Sequence, residues 1–282
     1  MVLIAQISDC HIRSDESPFD QLVNSTETLE RVVAHLMSSD IKPDVLLATG
    51  DLTESGTEEE YSLLLELLAP IDIPVLPIPG NHDEGQQFRE ALESYLPGKL
   101  PQTHCSYVED SYPVRLIGLD TSLEGRHDGH FDDERFEWLE EQLHQSPDKP
   151  TVIFTHFPPF MSGIHFMDIS GLKDPERFCS LVEKNPQVKL VTSGHLHRPI
   201  TTMIGTSIAS VCPSTSHQLG LDLNPASGSL VDEPPSYQLH RWDGIRFVTH
   251  TAVAWEGKTF DLSSWINKVA EQASSGSGFP KK

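Results

Sequence analysis

The 282-residue sequence carries 42 acidic and 20 basic residues, a formal charge of −22, with 37% hydrophobic and 22% charged residues. Such a chain can bury the core of one α/β domain with insertions, and its acidity excludes a protein that grips long nucleic acid through a basic stripe. No apolar run approaches the roughly 18 residues that span a bilayer. The N-terminus shows no basic leader, so a cytoplasmic protein with no membrane association is expected.

Val2 to Ile7 is a short apolar run that reads as a strand and ends at Ser8-Asp9-Cys10-His11. Thr26 to Ser38 places Leu29, Val32, Val33 and Leu36 at helical spacing, with Ser25 or Thr26 as the N-cap. A second strand over Asp44 to Thr49 stops at Gly50-Asp51. A helix over Thr57 to Leu68 follows, and a third strand over Val75 to Ile78 stops at Pro79-Gly80-Asn81-His82-Asp83. Strand, polar turn and helix in this repeated order indicate βαβ units and a largely parallel, buried sheet. Further strands are expected over Arg115 to Leu119, Thr151 to Thr155 and Lys189 to Thr192, with helices over Asp132 to His144 and Pro175 to Glu183.

Beyond residue 198 the pattern becomes β-rich. Thr201 to Val211 and Tyr237 to Trp255 read as strands flanking a long Pro/Gly/Ser/Asn-rich loop over Asp222 to Pro235. Residues 274–282 read as a disordered tail, and 1–273 as a single domain. Cys10, Cys105, Cys179 and Cys212 are spaced neither as a zinc ribbon nor as a disulfide framework, so free thiols are expected.

Five apolar runs therefore end in polar clusters: Asp9-Cys10-His11, Gly50-Asp51, Gly80-Asn81-His82-Asp83, His156 and Gly194-His195-Leu196-His197. Ligands of open α/β sheets bind beyond the carboxyl ends of the strands, so the five clusters should meet at one edge. Singly, each has a plain explanation, such as a capping pair, a common turn or a buried histidine. Asp9 and His11 are two apart, as are His195 and His197, and on extended backbone each pair would face one way. Imidazole, carboxylate and one amide oxygen suit two divalent transition-metal ions (Mn, Fe, Zn or Co) better than Ca or Mg. The seven donors divide into Asp9, His11 and His197 on one ion and Asn81, His156 and His195 on the other, with Asp51 bridging.

This five-block pattern, spanning residues 9–197, resembles that of the calcineurin-like metallophosphoesterases. It is similar in particular to the bacterial class III cyclic nucleotide phosphodiesterases and the glycerophosphodiesterases. Thr155-His156-Phe157-Pro158-Pro159, Asn224-Pro225-Ala226-Ser227 and His240-Arg241 are similar to the second branch. The resemblance implies a four-layer αββα sandwich of two mixed β-sheets, with the late β-rich part, about 199–260, completing the second sheet and offering a candidate homo-oligomer surface. It also implies the same metal allocation, and the metal donors are all present.

The expected activity is hydrolysis of a small phosphodiester, a 3',5'-cyclic nucleotide or a glycerophosphodiester, by in-line attack of a metal-bridging hydroxide. His82 would donate to a phosphoryl oxygen or the leaving group, and Asp83 would orient His82. Asn81, His82, His165 and His217 are the expected substrate contacts, and the loops over 160–172 and 214–236 should set specificity. His104, His127 and His130 read as surface residues, and Asp120 as structural. A phosphomonoesterase or nuclease on the same fold, or a non-catalytic metal-binding scaffold, are the alternatives.

Overall fold

The computed structural model describes residues 1–14, 23–96, 98, 100–255, 257, 258 and 260–274. In chain order its elements are β1 (Val2–Ile7), α1 (Ser25–Ser38), β2 (Val45–Thr49), α2 (Glu58–Leu68), β3 (Val75–Ile78), α3 (Gly85–Ala91), β4 (Tyr107–Glu109), β5 (Arg115–Leu119) and α4 (Asp133–Gln145). There follow β6 (Thr151–Thr155), α5 (His165–Asp168), α6 (Pro175–Lys184), β7 (Val188–Ser193), β8 (Ile200–Ile204), β9 (Ser207–Val211), β10 (Gln218–Leu219), β11 (Leu230–Val231), β12 (Ser236–Trp242), β13 (Phe247–Val253) and α7 (Ser263–Ser274). Apart from Ser274, the expected tail lies outside the described residues.

Local chemistry sets the helix starts. Asn24, not Ser25 or Thr26, caps α1 by accepting the Glu27 N–H. Thr57 and Glu60 form a reciprocal capping box on α2, and Asp132 caps α4. The elements not expected from the sequence are the short α3, β4, α5, β10 and β11, and α7. None of these presents a long apolar stripe to the core: α7 leaves Trp265 and Ile266 exposed.

Two sheets form the centre. One has the order β13-β12-β1-β2-β3 and the other β4-β5-β6-β7-β9-β8. Within them β1, β2 and β3 run parallel, as do β5, β6, β7 and β9. The sheets pack face to face through Ile4, Val45, Leu47, Leu76 and Ile78 from one and Leu116, Val152, Phe154 and Leu190 from the other. Alternate residues face outward, so Ala5, Ile7, Leu46 and Ala48 meet Leu29, Val32, Tyr61 and Leu64 of α1 and α2. On the far side Ile117, Ile153 and Val191 meet Leu139, Leu143, Phe178 and Leu181 of α4 and α6. This is the expected αββα order.

The late strands divide between the sheets, which corrects one expectation. β8 and β9 complete the second sheet, whereas β12 pairs antiparallel with β1 and carries β13 to the edge of the first. β12 is buried at six of its seven positions because it lies inside the sheet. Among the described residues no helix is long and apolar enough to cross a membrane.

Candidate metal centre

Because the parallel strands of both sheets point the same way, the segments after β1, β2, β3, β6 and β7 converge. Beyond β1 and β2 the two chains stay in register: Asp9 N donates to the Gly50 carbonyl and His11 N to that of Asp51. The backbone is not extended there, as the spacing argument assumed. Asp9, His11, Asp51, His195 and His197 all have positive φ, between 46° and 69°, and among the described residues only Asp174 joins them as a non-glycine. The left-handed region costs a non-glycine residue about 1–2 kcal/mol, so the fold maintains strain at the residues that carry the chemistry. Gly50 (φ 85°) is required for two reasons: a Cβ would occupy the same disfavoured region and stand 2.5 Å from His156 Nδ1.

All seven expected metal donors meet in this place. Asp9, His11 and Asp51 offer donor atoms within 4.8 Å of one another, and so do Asp51, His156 and His195, so Asp51 is common to both groups. His156 Nε2 is 3.2 Å from Asn81 Oδ1 and 3.3 Å from Asp51 Oδ2. His197 Nε2 is 3.4 Å from Asp9 Oδ1. The Asp9 carboxylate also accepts the His195 N–H at 3.0 Å.

The hydrogen bonds decide which nitrogens carry lone pairs. His11 Nδ1 lies 2.7 Å from Glu54 Oε2, His197 Nδ1 2.8 Å from the His217 carbonyl and His156 Nδ1 2.9 Å from the Thr49 carbonyl. Each partner is an acceptor, so each Nδ1 holds a proton, and it is Nε2 of each ring that faces the cluster and carries the lone pair whenever the ring is neutral. His195 Nε2 is buried with no hydrogen-bond partner. An orphaned buried nitrogen and lone pairs aimed at carboxylate and amide oxygens are unfavourable unless a cation sits among them, so the donor set fits bound divalent ions.

The charges agree. Burial works against an ionised Asp9, but His197 and His156 overcome it and hold the carboxyl at about 2. Burial likewise opposes ionisation of Asp51, and His156, His82 and His11 pull its pKa well below the usual range. His156 is driven the other way: burial favours the neutral ring, yet Asp51 and Asp9 raise it to about 9. His195, buried beside His156, falls to about 3 and stays neutral.

The residues around the donors fall differently from expectation. Asp83 does not orient His82. Its carboxylate accepts the N–H groups of Leu52, Thr53 and Gly80 and the hydroxyls of Thr53 and Tyr61. It thereby staples the loop of Asp51 to the loop of Asn81, because a buried carboxylate takes the nearest unsatisfied donors. His82 is held instead by its Nδ1 on the Glu54 carbonyl at 2.9 Å and its N–H on Asp51 Oδ1 at 2.8 Å.

Glu54, which the sequence did not single out, joins His11 to Arg13 (2.9 Å), and His11 together with Arg13 helps to hold its carboxyl at about 2 against burial. The signal was present only as one more acidic residue three positions after Asp51. His217 does reach the site, its ring centroid 4.4 Å from that of His197. His165 is exposed and does not line the cavity, whereas its neighbours Phe166 and Met167 do. His127 is exposed but lines the same cavity, 6.0 Å from the His82 ring. His104 is buried against Trp138 rather than at the surface. Asp120 binds the Cys105 and Ser122 backbone N–H groups away from the cluster.

Residues 2–199 match the sequence model of the calcineurin-like phosphoesterases. The chain belongs to the calcineurin-like phosphoesterase family. It is 38% identical over 254 residues to a probable glycerophosphodiester phosphodiesterase GpdQ of Arcobacter nitrofigilis, covering 89% of this chain and 93% of that one. It is 31% identical over 218 residues to the 3',5'-cyclic adenosine monophosphate phosphodiesterase CpdA of Vibrio vulnificus, covering 77% of each. A dimetal phosphatase from Danio rerio superposes with a TM-score of 0.64 at 14% identity, covering 90% of this chain and 97% of that one, which shows a shared fold.

Proposed function

We propose that the protein is a metal-dependent phosphodiesterase that hydrolyses a small phosphodiester, with Asp9, His11, Asp51 and His197 holding one divalent transition-metal ion and Asp51, Asn81, His156 and His195 the other. The observation that carries this reading is the pair of imidazoles His11 and His197, whose Nε2 atoms face each other at 3.2 Å with both Nδ1 atoms on acceptors. The relatives named as glycerophosphodiester and cyclic nucleotide phosphodiesterases support a small diester as substrate. When bound, the two ions would supply Lewis acidity, lowering the pKa of water toward neutrality and offsetting phosphoryl charge.

The protein's own groups do the rest. Asn81 and the donor loops set where the phosphoryl group rests. His82 has its Nδ1 proton committed to the Glu54 carbonyl, so only the imidazolium can also donate from Nε2. Burial opposes that form, but Asp51, the Glu54 carbonyl and the Glu54 carboxylate raise the His82 pKa and favour it. His82 then delivers a proton to the departing oxygen, and Glu54 fixes its direction.

The test is turnover by metal-loaded protein of bis(p-nitrophenyl) phosphate against p-nitrophenyl phosphate, followed by cyclic AMP against glycerophosphoethanolamine. Diester hydrolysis is expected. Turnover of the monoester alone would reject the diesterase reading, and none on any substrate, with two ions confirmed bound, would reject catalysis.

A further inference from the structure

The cavity above the metal donors measures about 610 Å³, and its walls are of two kinds. One end is polar, with Arg13, Glu54, His82 and His127. The other is apolar and is built by Phe166, Met167, Leu219 and Leu230. Met167 also borders a small hollow beside His195 and Leu196, and Leu219 N donates to the His197 carbonyl, so the apolar wall adjoins the His195–His197 donor loop.

Two segments supply this wall, and neither carries a metal donor. The 162–168 turn is closed by Asp168, whose carboxylate accepts the Ser162 N–H and hydroxyl and the Gly163 N–H. The β10–β11 ribbon pairs Leu219 with Leu230, and Leu219 N donates to the His197 carbonyl, which ties the ribbon to a donor loop. The segments touch where Phe166 lies over Gly228: a Cβ on that glycine would stand 2.7 Å from the ring. The wall is thus a braced clamp that holds apolar side chains open to water, with Phe166 36% and Leu230 37% exposed. Such surface beside a polar cluster gains free energy when an apolar group covers it.

We propose that this clamp is the subsite for the ester arm that stays on phosphorus, and that it selects diesters in which this arm is a flat or chain-like apolar group. The proposal rests on the phosphodiesterase reading and on His82 serving the departing arm. Water adds across one P–O bond: the bond to the arm at the His82 end breaks, its oxygen leaves with a proton, and the apolar arm departs on the phosphate as a monoester.

Methyl p-nitrophenyl phosphate and phenyl p-nitrophenyl phosphate test it, because the leaving group is constant and only the retained arm changes. The parent protein should show a KM for the phenyl diester about ten-fold below that for the methyl diester, within the range an apolar pocket gives for added carbon. Phe166→Ala and, separately, Leu230→Ala should erase that preference by raising KM for the phenyl diester about ten-fold more than for the methyl diester, with metal content unchanged. Hydrolysis of both diesters by the parent with equal KM, or variants that alter both alike, would overturn the subsite and leave the diesterase reading standing. Absence of turnover on both, in protein holding two metal equivalents, would overturn the two together.

Discussion

His11 and His197 direct their Nε2 lone pairs at each other across 3.2 Å, while Glu54 and the His217 carbonyl keep both Nδ1 protons occupied. In the metal-free protein the same cluster holds protons: burial favours a neutral His156, but Asp51 and Asp9 raise it to about 9. Metal ions must displace those protons. Loading the chelated protein with Mn or Zn at pH 7 should therefore release protons, read by titration calorimetry in buffers of different ionisation enthalpy. The ions should also raise the unfolding midpoint by about 5–10 °C, because ligand binding at a hundred-fold excess over Kd stabilises by about 2.7 kcal/mol.

Asp51 and His82 are bonded to each other yet should fail differently when removed. Asp51→Ala takes a donor from both half-sites and should reduce bound metal to under one equivalent. His82→Ala should keep the full complement and lower kcat by about 10²- to 10⁴-fold, the usual worth of a positioned proton donor. Metal analysis alongside steady-state kinetics separates the two, and loss of metal from the His82 variant would place that residue among the ligands.

Glu54 should act on bound metal through His11, whose Nδ1 it holds at 2.7 Å. Replacing it as Glu54→Gln keeps its size but weakens the charge-assisted bond to His11 Nδ1 and the pair with Arg13. Affinity for metal should fall about 10- to 100-fold, as for other outer partners of ligating histidines. Competition with a fluorescent chelator measures this, and unchanged affinity would show that Glu54 does not orient His11.

His240 gives the pH dependence of stability a source outside the site. It is fully buried between Gln6 and Thr249, and burial holds its pKa at about 3. In the unfolded chain it titrates near 6.5. Between those values the unfolded state binds the extra proton, so stability is full above about pH 6.5 and is lost as pH falls toward 3, at up to about 1.4 kcal/mol per pH unit. Denaturant unfolding of chelated parent and His240→Gln at pH 7, 6 and 5 should show a shallower decline in the variant. Parallel declines would mean that His240 adds nothing.

Gly50→Ala should be among the most damaging single-carbon changes in the chain. The added Cβ would meet the His156 ring and sit at φ 85°. A loss of about 1–3 kcal/mol, with weakened metal retention at the half-site of His156, is expected from thermal unfolding and metal analysis. Full retention of both would show that the loop can move aside.

Apolar runs of four to six residues ending in Asp, Asn or His are a local signal, and so are the capping residues at Thr57 and Asp132. The sequence by itself therefore determined the central strands, the main helices and the meeting of the seven candidate donors, because parallel strands deliver their carboxyl ends to one edge whatever lies between them. Other features depended on residues far apart in the chain, and only the tertiary structure decided them. Asp83 turned from His82 to five donors because burial set its partners. Glu54 became the holder of His11 across 43 positions. β12 entered the first sheet beside β1. Phe166, not His165, faced the cavity. Periodicity reports which face of an element is apolar. It carries no record of which distant backbone will supply a hydrogen-bond partner, and at this site those partners decide where the lone pairs point.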